Sequence, residues 1–281
     1  VVDGEAVARR FGLGRPVAPA VRVEGGLSNE LWRLTTADRI FAVKRMVINA
    51  DRPDFVDNVE AAYAVERRAW AAGVPMPEPI PVPDTGRALA EVGQSLYRVH
   101  RWVDGEPGRA TANEAATLLA DIHAVGERRP GTAEPGWTAD RYGADLVELT
   151  RRVESGPTLI VDSHCDLDRK NTLRSADGTL FALDWDAAGP TGAVQEAAGL
   201  ALDWAGGDKA VFAGALRAYS VRSGLTIPNE PWIFAGWVAA QGGWLDYHAT
   251  RPEPESRDQV RRTLAQLRAL AASLDDLLGA R

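Results

Sequence analysis

The stretch His164-Cys165-Asp166-Leu167-Asp168-Arg169-Lys170-Asn171, followed thirteen residues after Asn171 by Asp184, carries the strongest chemical signal in the chain. A polar loop leaving a strand, with two short strands around a glycine turn behind it, brings Asp166, Asn171 and Asp184 towards one point. Asp166 can there orient a hydroxyl and accept its proton. Asn171 and Asp184 offer the hard oxygens that Mg2+ takes alongside phosphates. Zinc is a poor fit, because His164 and Cys165 have no second Cys or His at ligand spacing. They also make a weak nucleophile–base pair, since adjacent residues on an extended chain point apart.

Lysine is scarce: Lys44, Lys170 and Lys209 are the only three among 32 basic residues. Lys44 ends the run Phe41-Ala42-Val43, and strand alternation puts it on the face of Ala42, away from Phe41 and Val43. A lone strand lysine is commonly an exposed edge residue. The upstream turn Gly25-Gly26-Leu27-Ser28-Asn29 adds another reading. Such a turn lets backbone N–H groups approach phosphates, which a nearby ammonium neutralises, although a glycine pair also makes an ordinary hairpin. On the helix expected next, Val59, Tyr63, Glu66 and Trp70 follow i, i+4, i+7, i+11 spacing, so Glu66 lies on the apolar stripe and Glu60 faces water. A carboxylate there wants a cationic partner. Lys44 is the candidate; a place at the stripe's edge or a nearby Arg are the alternatives.

The elements that must position these residues fall into two groups. Short β-favouring runs cover 21–24, 31–35 and 39–44, a helix fits 55–72 and ends at Gly73 and Pro75, and a further strand covers 95–102. The proline-rich segment 74–83 is expected to be extended, and 104–108 reads as a break. Beyond it, helices are expected over 113–125, 139–153, 194–204, 209–222, 231–248 and 257–278, around a β-like island at 158–161, 172–174 and 180–183. The predicted architecture is α+β, with a small sheet lobe over 1–103 and a larger helical lobe over 104–281.

A length of 281 residues suits about two domains, and 45% hydrophobic with 25% charged residues is globular composition, not disordered, collagenous or coiled-coil. No run approaches 18 apolar residues, which excludes a membrane span. The opening Val1-Val2-Asp3-Gly4-Glu5 shows no secretory signal, and a single cysteine, Cys165, fits a reducing compartment. A soluble cytoplasmic protein with no obligate protein partner is expected. The net charge of −7 is uneven: +1 over 1–103, −9 over 104–250 and +1 over 251–281. The middle segment discourages polyanions and suits a cationic ligand, although a solvated surface has the same composition. No basic face or basic-aromatic stripe appears, so nucleic acid is not an expected partner.

In chain order, Gly25-Gly26-Leu27-Ser28-Asn29, Val43-Lys44, Leu119-Ala120-Asp121-Ile122-His123, His164-x-Asp166-x-x-x-x-Asn171 and Leu183-Asp184-Trp185-Asp186 resemble the motifs of aminoglycoside phosphotransferases and choline-kinase-like enzymes. The resemblance spans about residues 20–250 and implies the two-lobed protein-kinase-like fold. It implies that Asp166 is the catalytic base, that Asn171 and Asp184 bind Mg2+, and that Lys44 holds the α/β-phosphates while Glu66 holds Lys44. The backbone near Ser28 and Asn29 would cover the nucleotide. The stretch at His100, Arg101, Trp102 and Val103 would be a hinge reading adenine or guanine through its main chain. His123 and His164 would be structural. Departures exist: Cys165 replaces a common Gly, Asp168 a His and Lys170 a Gly, and the helix Glu usually stands at the position of Ala62. Gly189-Pro190…Gln195-Glu196 replaces Asp-Pro…Asp-Leu, so substrate roles do not transfer.

The function expected from these residues is ATP- or GTP-dependent phosphorylation of a hydroxyl on a cationic antibiotic, with Mg2+ as cofactor, conferring resistance. The acceptor would be an aminoglycoside or a basic cyclic peptide of the capreomycin and viomycin type. Asp140, Asp145, Asp168, Asp186, Glu196 and Asp246 are the candidate cation contacts, and Trp244 offers stacking surface. One alternative is a kinase of choline, an amino sugar or homoserine; choline would call for an aromatic cage. Another is a catalytically silent nucleotide-binding module. Such a module would be expected to lose one of Lys44, Asp166, Asn171 or Asp184, and all four are present.

Overall fold

Asp3 opens the first helix. Its carboxylate accepts the Ala6 N–H at 2.9 Å, and α1 (Gly4–Phe11) then runs to Gly12, whose φ of 66° ends it. The computed structural model describes residues 2–24, 29–132, 136–154 and 156–279. Its contacts divide the chain into two compact units: Val1–Arg109 with Lys170–Gly189, and Ala110–Arg169 with Pro190–Arg281.

After α1 come β1 (Val21–Val23), β2 (Asn29–Thr35), β3 (Ile40–Met46), α2 (Phe55–Ala71), β4 (Pro79–Ile80), β5 (Ala90–Val92), β6 (Ser95–Arg101) and β7 (Glu106–Pro107). The first unit's sheet is antiparallel in the order β1-β2-β3-β6-β4, with β5 also paired to β6. Alternation sends Phe41, Val43 and Val99 into a core with Val7, Phe11, Trp32, Leu34 and Tyr97. Each such burial is worth roughly 1.5–3 kcal/mol, which fastens α1 to the sheet. Across β3 and β6, Lys44 pairs directly with Arg98 and Ala42 with His100. These four share the face turned away from that core.

The chain enters the second unit through α3 (Ala112–Val125), started by a capping box between Thr111 and Glu114. It continues with β8 (Arg128–Thr132), α4 (Ala144–Arg152) and β9 (Pro157–Ser163). The helix expected from 139 begins only at Ala144, because Gly143 with φ 112° breaks the backbone before it. A 3-10 turn at Arg169–Asn171 then leads back to the first unit, where β10 (Thr172–Arg174) and β11 (Leu180–Ala182) form a hairpin. β10 also pairs with β7, and the Ala182 N–H donates to the Pro75 carbonyl at 2.9 Å. These bonds attach 170–189 to the first unit, although it lies well past the lobe boundary at 103/104 read from the sequence.

The second unit resumes with β12 (Gly189–Gly192), α5 (Ala193–Ala205), α6 (Lys209–Ser223), α7 (Ala235–Ala249) and α8 (Pro254–Gly279). α3 packs on α5 and α6, and α7 packs on α8. Leu119, Ile122, Trp204, Phe212 and Phe234 are fully buried there, with the two phenylalanine rings stacked at 6.0 Å. Among the described residues, no helix is long and apolar enough to cross a membrane.

Candidate active site

In the first unit, Lys44 reaches off β3 to two carboxylates. Its Nζ lies 2.6 Å from Asp184 Oδ1 and 2.5 Å from Asp186 Oδ2. Both acids sit at the 3-10 turn Trp185–Ala187, which Asp184 enters with φ 61°, in the left-handed region. Burial pushes the Lys44 ammonium towards neutrality, but Asp186 and Asp184 overcome this and hold its pKa above the ordinary value. Lys44 is therefore a fixed, permanent cation. Asn171 is buried at the end of the 3-10 turn that leads into β10, and its carbonyl accepts the Leu183 N–H at 2.8 Å. Its amide and the Asp184 carboxylate are hard oxygen donors, and Asp184 already takes a cation. Among the described residues, no group of three or more His, Cys, Asp or Glu forms a metal cage. The Asn171 and Asp184 oxygens fit Mg2+, which needs only one or two from the protein and completes its shell with phosphates and water.

Glu66 does not touch Lys44. One of its oxygens pairs with the Arg98 guanidinium and the other lies 2.8 Å from His100 Nε2. The expected Lys44–Glu66 pair is thereby corrected: α2 aims Glu66 at β6, where a longer, forked cation meets it. Burial pushes the Glu66 carboxyl up, yet Arg98 and His100 hold it below the usual range. The other arm of Arg98 pairs with Asp186. Asp186, expected to touch substrate, is committed to Lys44 and Arg98, which outweigh its burial and keep its pKa well below normal. The Asn29 amide donates to Asp186 at 3.4 Å and its carbonyl accepts the Val47 N–H at 3.1 Å, so its side chain serves the strand. Ser28 lies outside the described residues. In the expected hinge, the Arg101 N–H donates to Glu78 and the Trp102 N–H to Ile40, while the Trp102 indole donates to Asp104. Val103 is half-buried beside them.

In the second unit, Asp166 is half-buried after Cys165, whose φ of 61° turns the loop. The Asp166 N–H donates to His164 Nδ1 at 3.2 Å, and the Asp168 N–H donates back to the Asp166 carbonyl at 2.9 Å. Glu196, expected to meet substrate, braces this loop: it accepts the Cys165 N–H at 2.9 Å and lies 2.8 Å from His123 Nε2. Burial pushes its carboxyl up, and bonding to His123 more than reverses this. His123 is itself buried, with Tyr219 Oη 2.7 Å from its Nδ1.

Two other expected cation contacts are also committed. Asp246 accepts from the Trp137 indole, Arg141 and the Tyr142 hydroxyl, and Asp145 pairs with Arg268 at 2.8 Å. Each sits on a helix beside a donor that chain spacing does not reveal. Asp140 is exposed, Asp168 is half-buried, and Trp244 is exposed with its ring stacked on Tyr247 at 5.8 Å. Asp203 on α5 was not foreseen. It accepts from the Trp237 indole, and desolvation, with Asp168 and Asp166 nearby, pushes its carboxyl up to about 6.

A profile of the phosphotransferase enzyme family APH matches residues 19–232, most of the chain. The chain belongs to this phosphotransferase family. No match was found among curated proteins. Among solved structures, it is similar to a thermostable mutant of aminoglycoside phosphotransferase APH(4)-Ia in ternary complex with ADP and hygromycin B. That match has 12% identity, 97% coverage of this chain, 99% of the other and a TM-score of 0.67. It is also similar to spectinomycin phosphotransferase APH(9)-Ia in complex with ADP and spectinomycin, at 10% identity, 94% and 95% coverage and a TM-score of 0.64. A microcompartment-associated aminopropanol kinase matches at 14% identity, 98% coverage of both chains and a TM-score of 0.64. The fold of this APH-family phosphotransferase is thus the protein-kinase-like one, with a sheet-based unit and a helical unit.

Arg98, between Glu66 and Asp186, is the neighbour of Lys44 that sequence reading passed over, while His100, read there as part of a hinge, turns its ring to Glu66. Both lie in a run, Leu96-Tyr97-Arg98-Val99-His100, whose alternation was visible. Their role needed the β3–β6 register, which brings Arg98 opposite Lys44 across more than fifty residues of chain.

Proposed function

We propose that this chain is a nucleoside-triphosphate-dependent O-phosphotransferase acting on a hydroxyl of a small cationic antibiotic, an aminoglycoside or a basic cyclic peptide. The observation that carries the reading is Lys44, a half-buried ammonium held by Asp184 and Asp186 on the strand face of the first unit. Lys44 holds the α/β-phosphates of ATP or GTP. Asn171 and Asp184 hold Mg2+, which when bound neutralises charge on the transferring phosphates. Asp166 takes the acceptor's hydroxyl proton as its oxygen bonds to the γ-phosphorus and the bond from that phosphorus to the β-bridging oxygen breaks, releasing the nucleoside diphosphate. Glu196 keeps the Asp166 loop in place through the Cys165 N–H. With the Arg101 and Trp102 N–H groups committed to the sheet, base reading falls to the main chain of Val103 and neighbouring carbonyls.

Neighbours crystallised with ADP support nucleotide use, and those holding hygromycin B or spectinomycin support a cationic acceptor. Asp168, Asp140 and Asp203 are the carboxylates we propose meet its amines. A second reading, phosphorylation of a small amino alcohol or related metabolite, is favoured by the similarity to an aminopropanol kinase and by the commitment of Asp145, Asp186, Glu196 and Asp246 elsewhere. Incubation with Mg-ATP or Mg-GTP and a panel of aminoglycosides, capreomycin, viomycin, choline, aminopropanol and homoserine, read by mass spectrometry, tests both. Phosphate on an antibiotic supports the first; phosphate on a metabolite alone replaces it with the second.

A further inference from the structure

Arg98 is the most deeply enclosed cation of the first unit, with its side chain 2% exposed. It stands directly across from Lys44 on the same sheet face, where two like charges would repel. Two carboxylates fill the space around them. Arg98 forks between Glu66 and Asp186, and the second Asp186 oxygen takes Lys44 at 2.5 Å. Glu66 turns its other oxygen to His100 and makes no bond to Lys44. The Tyr63 ring lies against the guanidinium, 5.8 Å away.

We infer that Arg98 is a positioning residue: it orients Asp186, Asp186 orients Lys44, and Glu66 influences Lys44 only through the Arg98 guanidinium. The geometry is a relay, Glu66–Arg98–Asp186–Lys44, in place of a direct Glu–Lys pair. A forked, planar cation can bond two carboxylates at fixed angles, whereas a lysine at 98 would supply the charge but not the bridge. The inference rests on the reading of Lys44 as the phosphate-holding group.

Calorimetric binding of Mg·AMP-PNP and of adenosine to the full chain tests it. Arg98→Lys is expected to weaken Mg·AMP-PNP about tenfold, the scale of a direct side-chain coupling. Adenosine, having no phosphates, should bind unchanged. Glu66→Gln should also weaken Mg·AMP-PNP, and adding it to Arg98→Lys should cost nothing more. Asp186→Asn breaks the relay at its middle while leaving the Arg98 side chain and its Glu66 pair in place, so Glu66→Gln should be silent in that background too; this arm stands even if Arg98→Lys does not fold. Equal loss of adenosine and Mg·AMP-PNP, or wild-type affinity in Arg98→Lys, would make Arg98 merely structural and overturn the relay. So would a Glu66→Gln penalty that persists in both backgrounds. Lys44→Met is the control on the premise: if it binds Mg·AMP-PNP normally, the reading of Lys44 fails and the relay falls with it.

Discussion

His123 and Cys165 are joined by one carboxylate: Glu196 lies 2.8 Å from the His123 ring nitrogen and takes the Cys165 N–H at 2.9 Å. The backbone just before Asp166 is thereby tied to the buried interior of α3. Glu196→Ala should cost about 1–3 kcal/mol, because it leaves buried polar groups unpaired. Since the Glu196 pKa is lowered on folding, its contribution is present above the ordinary value of 4.5 and is lost as pH falls through the lower folded value. Urea melts of wild type and Glu196→Gln across this acid range check it. The wild type should lose stability more steeply.

Asp166→Asn should lower turnover by about 100- to 10,000-fold, the usual share of a general base, while Mg-nucleotide binding stays near wild type. Single-turnover transfer to the best acceptor, with calorimetry of Mg·AMP-PNP alongside, measures both. Near-normal transfer in Asp166→Asn would remove the base from this loop.

Asp203 carries a pKa raised to about 6 by desolvation, with Asp168 and Asp166 adding to it. A carboxyl raised on folding binds its proton more readily in the native state, so stability falls as pH rises from about 4 to 6. The residue is exposed, and solvent screening trims the effect. Asp203→Asn preserves an acceptor for Trp237 and should raise Tm at pH 8 more than at pH 5. A thermal shift series over pH decides it.

Asp246 satisfies Trp137, Arg141 and Tyr142 at once. Asp246→Ala should therefore cost about 1 kcal/mol or more in stability and leave the acceptor KM unchanged. A rise in KM with unchanged Tm would return Asp246 to substrate binding.

Much of this arrangement was legible in the chain, and the rest was not for definite reasons. Alternation through Phe41-Ala42-Val43-Lys44 put Lys44 opposite the core face, and helical spacing put Glu66 inward. Neither periodicity carries information about which strand lies next door. The partner of Glu66 was therefore read as Lys44, with a nearby Arg as the alternative, and nothing in the spacing singled out Arg98. The acidic excess of the middle segment was likewise visible as charge, but Glu196, Asp145 and Asp246 each met an internal donor from a distant element. Only tertiary pairing separates such carboxylates from free ones.

The first unit is discontinuous in the chain, completed only by 170–189, and this bears on its birth at the ribosome. When Arg109 has been added, β7 lacks β10, and Lys44 and Arg98 lack Asp184 and Asp186. The eighty residues up to Gly189 must still be synthesised, a delay of ~4–16 s at ordinary elongation rates. Through that interval Arg98 has only Glu66 of its two carboxylate partners, and Lys44 has neither of its own. The first unit can be completed only after that, and the helical segment 110–169 emerges before its predecessor can close.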